Sequence, residues 1–202
     1  MSLTLYGQSG SRAVRSLWML EELDLEYRHV PTTFSEDAKA PEFKDINAFA
    51  RIPALVDGDL HLGESMAINL YLAQREGGEL QPAGAADQAR ALHYSFWVMT
   101  EVEKTLLNGL CYVRGLFGLP VSAEKAARCF ADLAPAFARL EEALSDRPYL
   151  LGETFTVADL NVASVLLWAR NARVDLAAYP LLDGWLTRCL ARPALALAQA
   201  KP

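Results

Sequence analysis

Long apolar runs are missing from this chain. No stretch approaches the ~20 consecutive apolar residues of a membrane-spanning helix. The opening "MSLTLYGQSGSR" lacks a basic start followed by a long apolar core, so no signal peptide is expected. Cysteine is scarce and odd in number: Cys111, Cys129 and Cys189 form no C-x-x-C pair. That fits a reducing compartment better than a disulfide framework. The three histidines, His29, His61 and His93, share no metal-ligand spacing, so no metal is expected. Basic charge is in the minority, 19 Lys and Arg against 25 Asp and Glu. No basic stripe is visible, which argues against nucleic acid as a partner. Together these absences predict a cytoplasmic protein that engages neither nucleic acid nor membrane.

What is present is core-forming material. Hydrophobic residues make up 52% of the 202 and charged residues 22%, with a formal net charge of -6. Such a composition builds a packed core, and the length allows one large domain or two small ones.

The first eighty residues alternate between short apolar runs and helical patterns. "LTLYG" reads as a buried strand ended by glycine. "RAVRSLWMLEELD" places Val14, Leu17 and Leu20 at helical spacing. "EYRHV" alternates like a strand and stops at Pro31. Strand, helix, strand implies a parallel pair. In "PALVDGDLHL" two strands flank Asp57-Gly58, a hairpin signal. From Glu64, "ESMAINLYLAQREGG" returns to helical period and ends at Gly77-Gly78. The expected result is an α/β unit over residues 1–78, a small mixed sheet with helices against it.

"GGELQPAGAADQ" carries no periodicity and reads as a linker, 79–86. Residues 87–202 read as an all-α domain. Leu92, Phe96, Met99, Val102, Leu106, Leu110 and Val113 trace one long amphipathic helix. Ala126, Phe130, Leu133, Phe137, Leu140 and Leu144 trace a second, which Pro135 is expected to kink. "TFTVADLNVASVLLWARN" is apolar nearly all round and belongs at the centre of its domain. Thr156 and Asp159, three apart at its start, match a capping box.

Three constellations carry chemistry. Glu64 and Ser65 open a helix, where an acid and a hydroxyl suit the positive N-terminus. The same amides and hydroxyl can hold a ligand carboxylate while Glu64 faces an ammonium, together the α-amino acid end of a peptide. Pro53 stands at the mouth of a strand. A trans proline there is ordinary; a cis one turns the Ile52 backbone outward, where an extended peptide can pair with it. Ser9 and Ser11 lie between the first strand and helix. Either can cap the helix, or offer a hydroxyl to an anion, as Tyr6 can.

These pieces, with "SRAVRSLWMLEELDLEYRHV", "NAFARIPALVDGDLHLGESMAINLYL" and "YLLGETFTVADLNVASVL", resemble the glutathione transferase family over nearly the whole chain. The resemblance is to its bacterial, serine-type, cytosolic members. It implies a thioredoxin-like N-terminal domain and an all-helical C-terminal one. It implies glutathione as co-substrate, a small hydrophobic electrophile as the second partner, and a homodimer. It makes Pro53 the cis proline, Ile52 the backbone partner of the cysteinyl part, and Glu64 and Ser65 the grip on the γ-glutamyl end. Arg51 lies near the peptide, and Lys39 approaches the glycyl carboxylate. Ser11 best fits the activating hydroxyl, with Ser9 second and Tyr6 third. No cysteine lies at that turn, which argues against members that form a mixed disulfide with glutathione there. The chain departs from the family where a frequent Asn-Pro-x-Gly reads Asn47-Ala48-Phe49-Ala50.

The implied reaction is attack by the glutathione thiolate on an electrophilic carbon. Phe96, Trp97, Tyr112 and Phe117 are candidates to wall the electrophile pocket, each also readable as core. Glu101 or Glu103 is a candidate to reach the partner's γ-glutamyl site. Two alternatives stand beside conjugation: a glutathione-dependent isomerase or peroxidase on the same fold, and a non-catalytic transferase-like binding module.

Overall fold

The computed structural model describes residues 3–202. Its contacts divide it into two compact units, Met1–Gln81 with Ala191–Pro202, and Pro82–Leu190.

The first unit is built on a four-stranded sheet. Strand β1 (Leu3–Tyr6) is followed by helix α1 (Ala13–Glu22) and strand β2 (Arg28–Val30), which runs parallel to β1. Two 3-10 turns, Asp37–Lys39 and Pro41–Asp45, lead into the loop before β3 (Ala54–Asp57). The hairpin forms where Asp57-Gly58 stands: β3 pairs antiparallel with β4 (Leu60–Gly63), with Asp57 opposite Leu60. Strand order is β2-β1-β3-β4. Leu5 and Leu55 lie opposite each other, both fully buried. Helix α2 (Ser65–Glu76) follows. From α1, Leu17, Trp18, Met19 and Leu20 are buried; from α2, Ile68, Leu72 and Ala73.

The second unit is helical. Helix α3 (Gly84–Trp97) passes through a π-helical turn (Val98–Glu103) into α4 (Lys104–Arg114). The long periodic run 92–113 is therefore one winding rod with a wider turn in its middle. Helix α5 (Ala123–Asp132) returns beside α4. A Cβ at Gly109 would overlap the Phe130 ring, so the smallest residue stands where the two helices touch. The kink expected from Pro135 is a full break. The second periodic run divides at Leu133, and α6 (Ala134–Ala143) begins with Pro135 in its first turn. There the missing N–H has no helical acceptor to lose.

Helix α7 (Val157–Asn171) is buried along Val157–Leu167 and starts with the expected capping box. Helix α8 (Pro180–Leu190) follows. Helix α9 (Pro193–Gln199) belongs to the first unit. The boundaries thus differ from the linker 79–86 and domain 87–202 read from the sequence. Helix α3 already begins at Gly84, and residues 191–202 group with the sheet. Among the described residues no helix is long and apolar enough to cross a membrane.

Candidate functional site

Sheet register gathers the site. Tyr6 pairs with Ala54, and Ala54 with Gly63. The residues that follow β1, precede β3 and follow β4 therefore emerge at one end of the sheet. These are the turn 7–12, the loop 47–53, and Glu64 with Ser65.

Gly7 is the hinge between the first two. Its N–H donates to the Val30 carbonyl at 3.0 Å, and its carbonyl lies 2.6 Å from His29 Nε2. A carbonyl only accepts, so this imidazole carries its proton on Nε2. Gly7 sits at φ +138°, and a Cβ there would stand 2.5 Å from that of Ala13, 3.5 Å from Ile52 Cβ and 3.7 Å from Pro53 Cα. The turn therefore packs directly on the Ile52-Pro53 peptide, which is cis. The paired ladder begins at Ala54, so Ile52 lies outside it.

The hydroxyls of the turn are differently engaged. Ser9 Oγ donates to the Lys201 carbonyl at 2.6 Å, and the Ser9 N–H to the Pro202 carbonyl at 3.3 Å. Ser11 Oγ donates to the Gln8 carbonyl at 2.7 Å and accepts from the Ala13 N–H at 3.1 Å, capping α1. Tyr6 is half-buried, its ring edge-on to Phe43 at 5.8 Å between centroids.

The loop before β3 is organised by Asn47, a residue whose role sequence reasoning missed. Buried at 7% exposure, it donates from Nδ2 to the Arg51 carbonyl at 2.9 Å and accepts the Phe49 N–H at Oδ1, 3.1 Å. The second bond is an Asx turn, a habit of Asn that could have flagged it. Its Nδ2 also lies 3.0 Å from where a Gly63 Cβ would be, so Asn47 joins the loop to the β4–α2 junction. Lys39 Nζ donates to the Ala50 carbonyl at 3.0 Å, which brings Lys39 beside Arg51.

Helix α2 starts at a strained residue: Glu64 has φ +63° and ψ +112°, and its carbonyl accepts the Ile68 N–H at 3.0 Å. The Glu64 side chain is exposed and Ser65 is buried. Exposed acid, buried hydroxyl and free first-turn amides together suit an anion next to a cation.

The four aromatic candidates do not come together. Phe96 and Trp97 line a groove of about 750 Å³ in the helical unit, with Tyr94, Thr100, Arg139 and Leu140. Tyr112 lies outside it, with Lys125 Nζ 5.4 Å above its ring, and so does Phe117, which is exposed at φ +53°. Glu101 lines the groove, whereas Glu103 is buried.

A helix start and a hydroxyl-bearing turn gathered beside a cis-proline loop, on a mixed four-stranded sheet followed in the chain by a helical unit, define the thioredoxin-like class with an appended helical domain. Residues 1–74 match the family model "Glutathione S-transferase, N-terminal domain" and residues 98–193 match "Glutathione S-transferase, C-terminal domain". The chain belongs to the glutathione S-transferase family. It is 36% identical over 205 residues to Glutathione S-transferase 3 of Zea mays, covering 95% of this chain and 90% of that one. It is 33% identical over 199 residues to Probable glutathione S-transferase GSTF2 of Oryza sativa subsp. japonica, covering 95% and 93%. A solved glutathione S-transferase-I bound with lactoylglutathione superposes with a TM-score of 0.88 at 28% identity, covering 99% of each chain. The two named relatives are plant proteins, so they lend no support to a bacterial type.

Proposed function

We propose that the chain is a serine-type glutathione transferase that attacks a small hydrophobic electrophile with the glutathione thiolate. The observation that carries this is the meeting of the cis Ile52-Pro53 loop, the Ser65 helix start and the Ser11 turn at one end of the sheet. In this reading the Ile52 backbone pairs with the cysteinyl residue as an added strand. Ser65 and the first amides of α2 take the γ-glutamyl carboxylate, and Glu64 takes its ammonium. Lys39 and Arg51 supply positive charge for the glycyl carboxylate. Tyr112 and Phe117 remain candidates for the electrophile wall. Glutathione is a co-substrate, and the protein works as a homodimer in the cytoplasm.

The thiol needs activation because at pKa ≈ 8.5 only a few per cent is ionised at pH 7. A hydroxyl donating to the thiolate is worth ~1.5–3 kcal/mol, which is about one to two pKa units. Ser11 suits the role better than Ser9. Its present acceptor is Gln8, three residues away, so the hydroxyl can turn to a sulfur while its lone pair still caps Ala13. Ser9 is held by a carbonyl 192 positions along the chain. The serine stays a hydrogen-bond donor and is never the nucleophile.

Ser11→Ala is expected to lower kcat about 10- to 100-fold with an activated aryl chloride as electrophile, the range set by that one bond. KM for glutathione should move less than about 3-fold, because binding rests on Ile52 and Ser65. Unchanged kcat would return the role to Ser9 or Tyr6. Glutathione recovered unchanged at the end of turnover would favour an isomerase.

A further inference from the structure

The segment after α8 returns to the first unit and fastens itself at three points, two on α1 and one on the turn before it. Arg192 forms a fork on Glu22, Nε and Nη2 each at 2.7 Å from one carboxylate oxygen. The Glu22 side chain is nearly buried and also accepts from Trp18 Nε1 at 2.8 Å. Lys201 Nζ lies 3.1 Å from Glu21 and 5.2 Å above the Tyr27 ring, and the Tyr27 hydroxyl donates to that same Glu21 at 2.6 Å. Beyond these, the carbonyls of Lys201 and Pro202 take the hydroxyl and the N–H of Ser9. A hydroxyl has one proton, and Ser9's is committed here.

Building on the proposed transferase reading, we infer that residues 191–202 are a strap belonging to the glutathione site. By holding Ser9, the strap fixes the turn 7–12 and sets the position from which Ser11 reaches the thiol. The Ser9 hydroxyl is a positioning group and not a donor to sulfur. The turn has two anchors. Gly7 is held from below by Val30 and His29, and Ser9 by the strap. Ser11 lies just beyond the second anchor. Its distance to a sulfur then depends on a contact made by residues almost 200 positions downstream. Hydrogen bonds weaken steeply with misalignment, so a loosened turn should bind glutathione nearly as well while stabilising its thiolate less.

The test reads the pKa of the bound thiol, from thiolate absorbance, beside KM for glutathione. Arg192→Gln frees the strap from Glu22, and Ser9→Ala cuts its bond to the turn. Each is expected to raise the bound thiol pKa by about half a unit to one unit, with KM within about 3-fold. Arg192→Lys, which keeps the ion pair, should restore most of the shift. In a Ser11→Ala background neither change should raise the pKa further, because the group they position is gone. A bound thiol pKa left unchanged by both single variants, while Ser11→Ala raises it, would overturn the strap. So would a Ser9→Ala shift that persists in full without the Ser11 hydroxyl, since Ser9 would then be a donor itself. Should Arg192→Gln not fold, Ser9→Ala, which removes only one half-buried side-chain bond, still decides. Calorimetry on the wild-type chain separates the two claims: no glutathione binding by folded protein overturns the transferase reading, and this inference with it.

Discussion

Ala50 sits at φ +51°, in the left-handed region where a Cβ crowds the backbone. It occupies the place where the family's frequent Asn-Pro-x-Gly has glycine. The loop keeps that shape because three contacts over-determine it. The Ala50 N–H donates to the Asn47 carbonyl at 2.8 Å, its own carbonyl takes Lys39, and Asn47 holds Arg51. Ala50→Gly should therefore relieve strain and stabilise the protein by about 0.5–1 kcal/mol, net of the extra freedom of unfolded glycine. Thermal melting should rise by roughly 2–4 °C per kcal/mol for a chain of this size. A lower melting temperature would mean that the alanine methyl packs favourably enough to outweigh its backbone strain. At this scale the sequence was legible for placement. Ile52 and Pro53 could be put at a strand entry and Glu64 and Ser65 at a helix start because those positions have local signatures. Asn47 was missed although its hydrogen-bond partners are only two and four residues along, because the loop carries no periodicity to direct attention to it and its approach to Gly63 is made only on folding.

At the scale of elements, the start of α7 shows how a local signal becomes a buried network. Thr156 and Asp159 form the capping box, but Asp159 also accepts from the Leu150 N–H at 2.8 Å and from Trp185 Nε1 at 2.9 Å. Burial pushes its carboxyl above the usual carboxylate range, and these donors, with those of Thr156, pull the other way without cancelling it. The folded state therefore holds the Asp159 proton to a higher pH than the unfolded chain does. Its contribution to stability is greatest below the unfolded value of about 3.9 and falls as pH rises through the folded one. Asp159→Asn should abolish that slope. It should also destabilise the fold by about 3 kcal/mol, because an amide NH₂ replaces an oxygen that faces N–H donors. Thr156→Ala, which removes only a cap, should cost about 1 kcal/mol. Denaturant unfolding of the wild type and both variants from about pH 3, below the free carboxyl value, to about pH 7 checks the ranking and the slope together. Equal losses would reduce Asp159 to an ordinary cap. The cap itself was readable three residues apart; Trp185 and Leu150 were not, because only the folded chain brings them near. Pro135 teaches the same point: its local effect was clear, but whether a helix bends or restarts depends on what packs around the break.

At the scale of the whole molecule, the surface argues for a second copy of the chain. Phe49 is 81% exposed, the extreme among the large apolar side chains described. It rides on the loop that Asn47 and Lys39 hold rigid, so it is presented at little cost in ordering. The groove floored by Leu140 and Trp97 has room for an aromatic ring, and Phe96 on its rim is itself 69% exposed. Burying a phenylalanine against the Leu140, Trp97 and Phe96 part of the groove, which Glu101, Arg139 and Glu142 also line, is worth ~1.5–3 kcal/mol, and a two-fold pair of copies would do so twice. The proposed homodimer then predicts that Phe49→Ser raises the dimer dissociation constant by at least about 100-fold, two losses of ~1.5 kcal/mol at 1.4 kcal/mol per decade. Val121→Ser serves as the control, since Val121 is 70% exposed but does not line the groove. It should leave association unchanged. Sedimentation velocity over a concentration series distinguishes these outcomes. A wild-type chain that stays monomeric at every concentration, or equal weakening by both substitutions, would remove Phe49 from any interface and leave the groove open to a small apolar ligand instead.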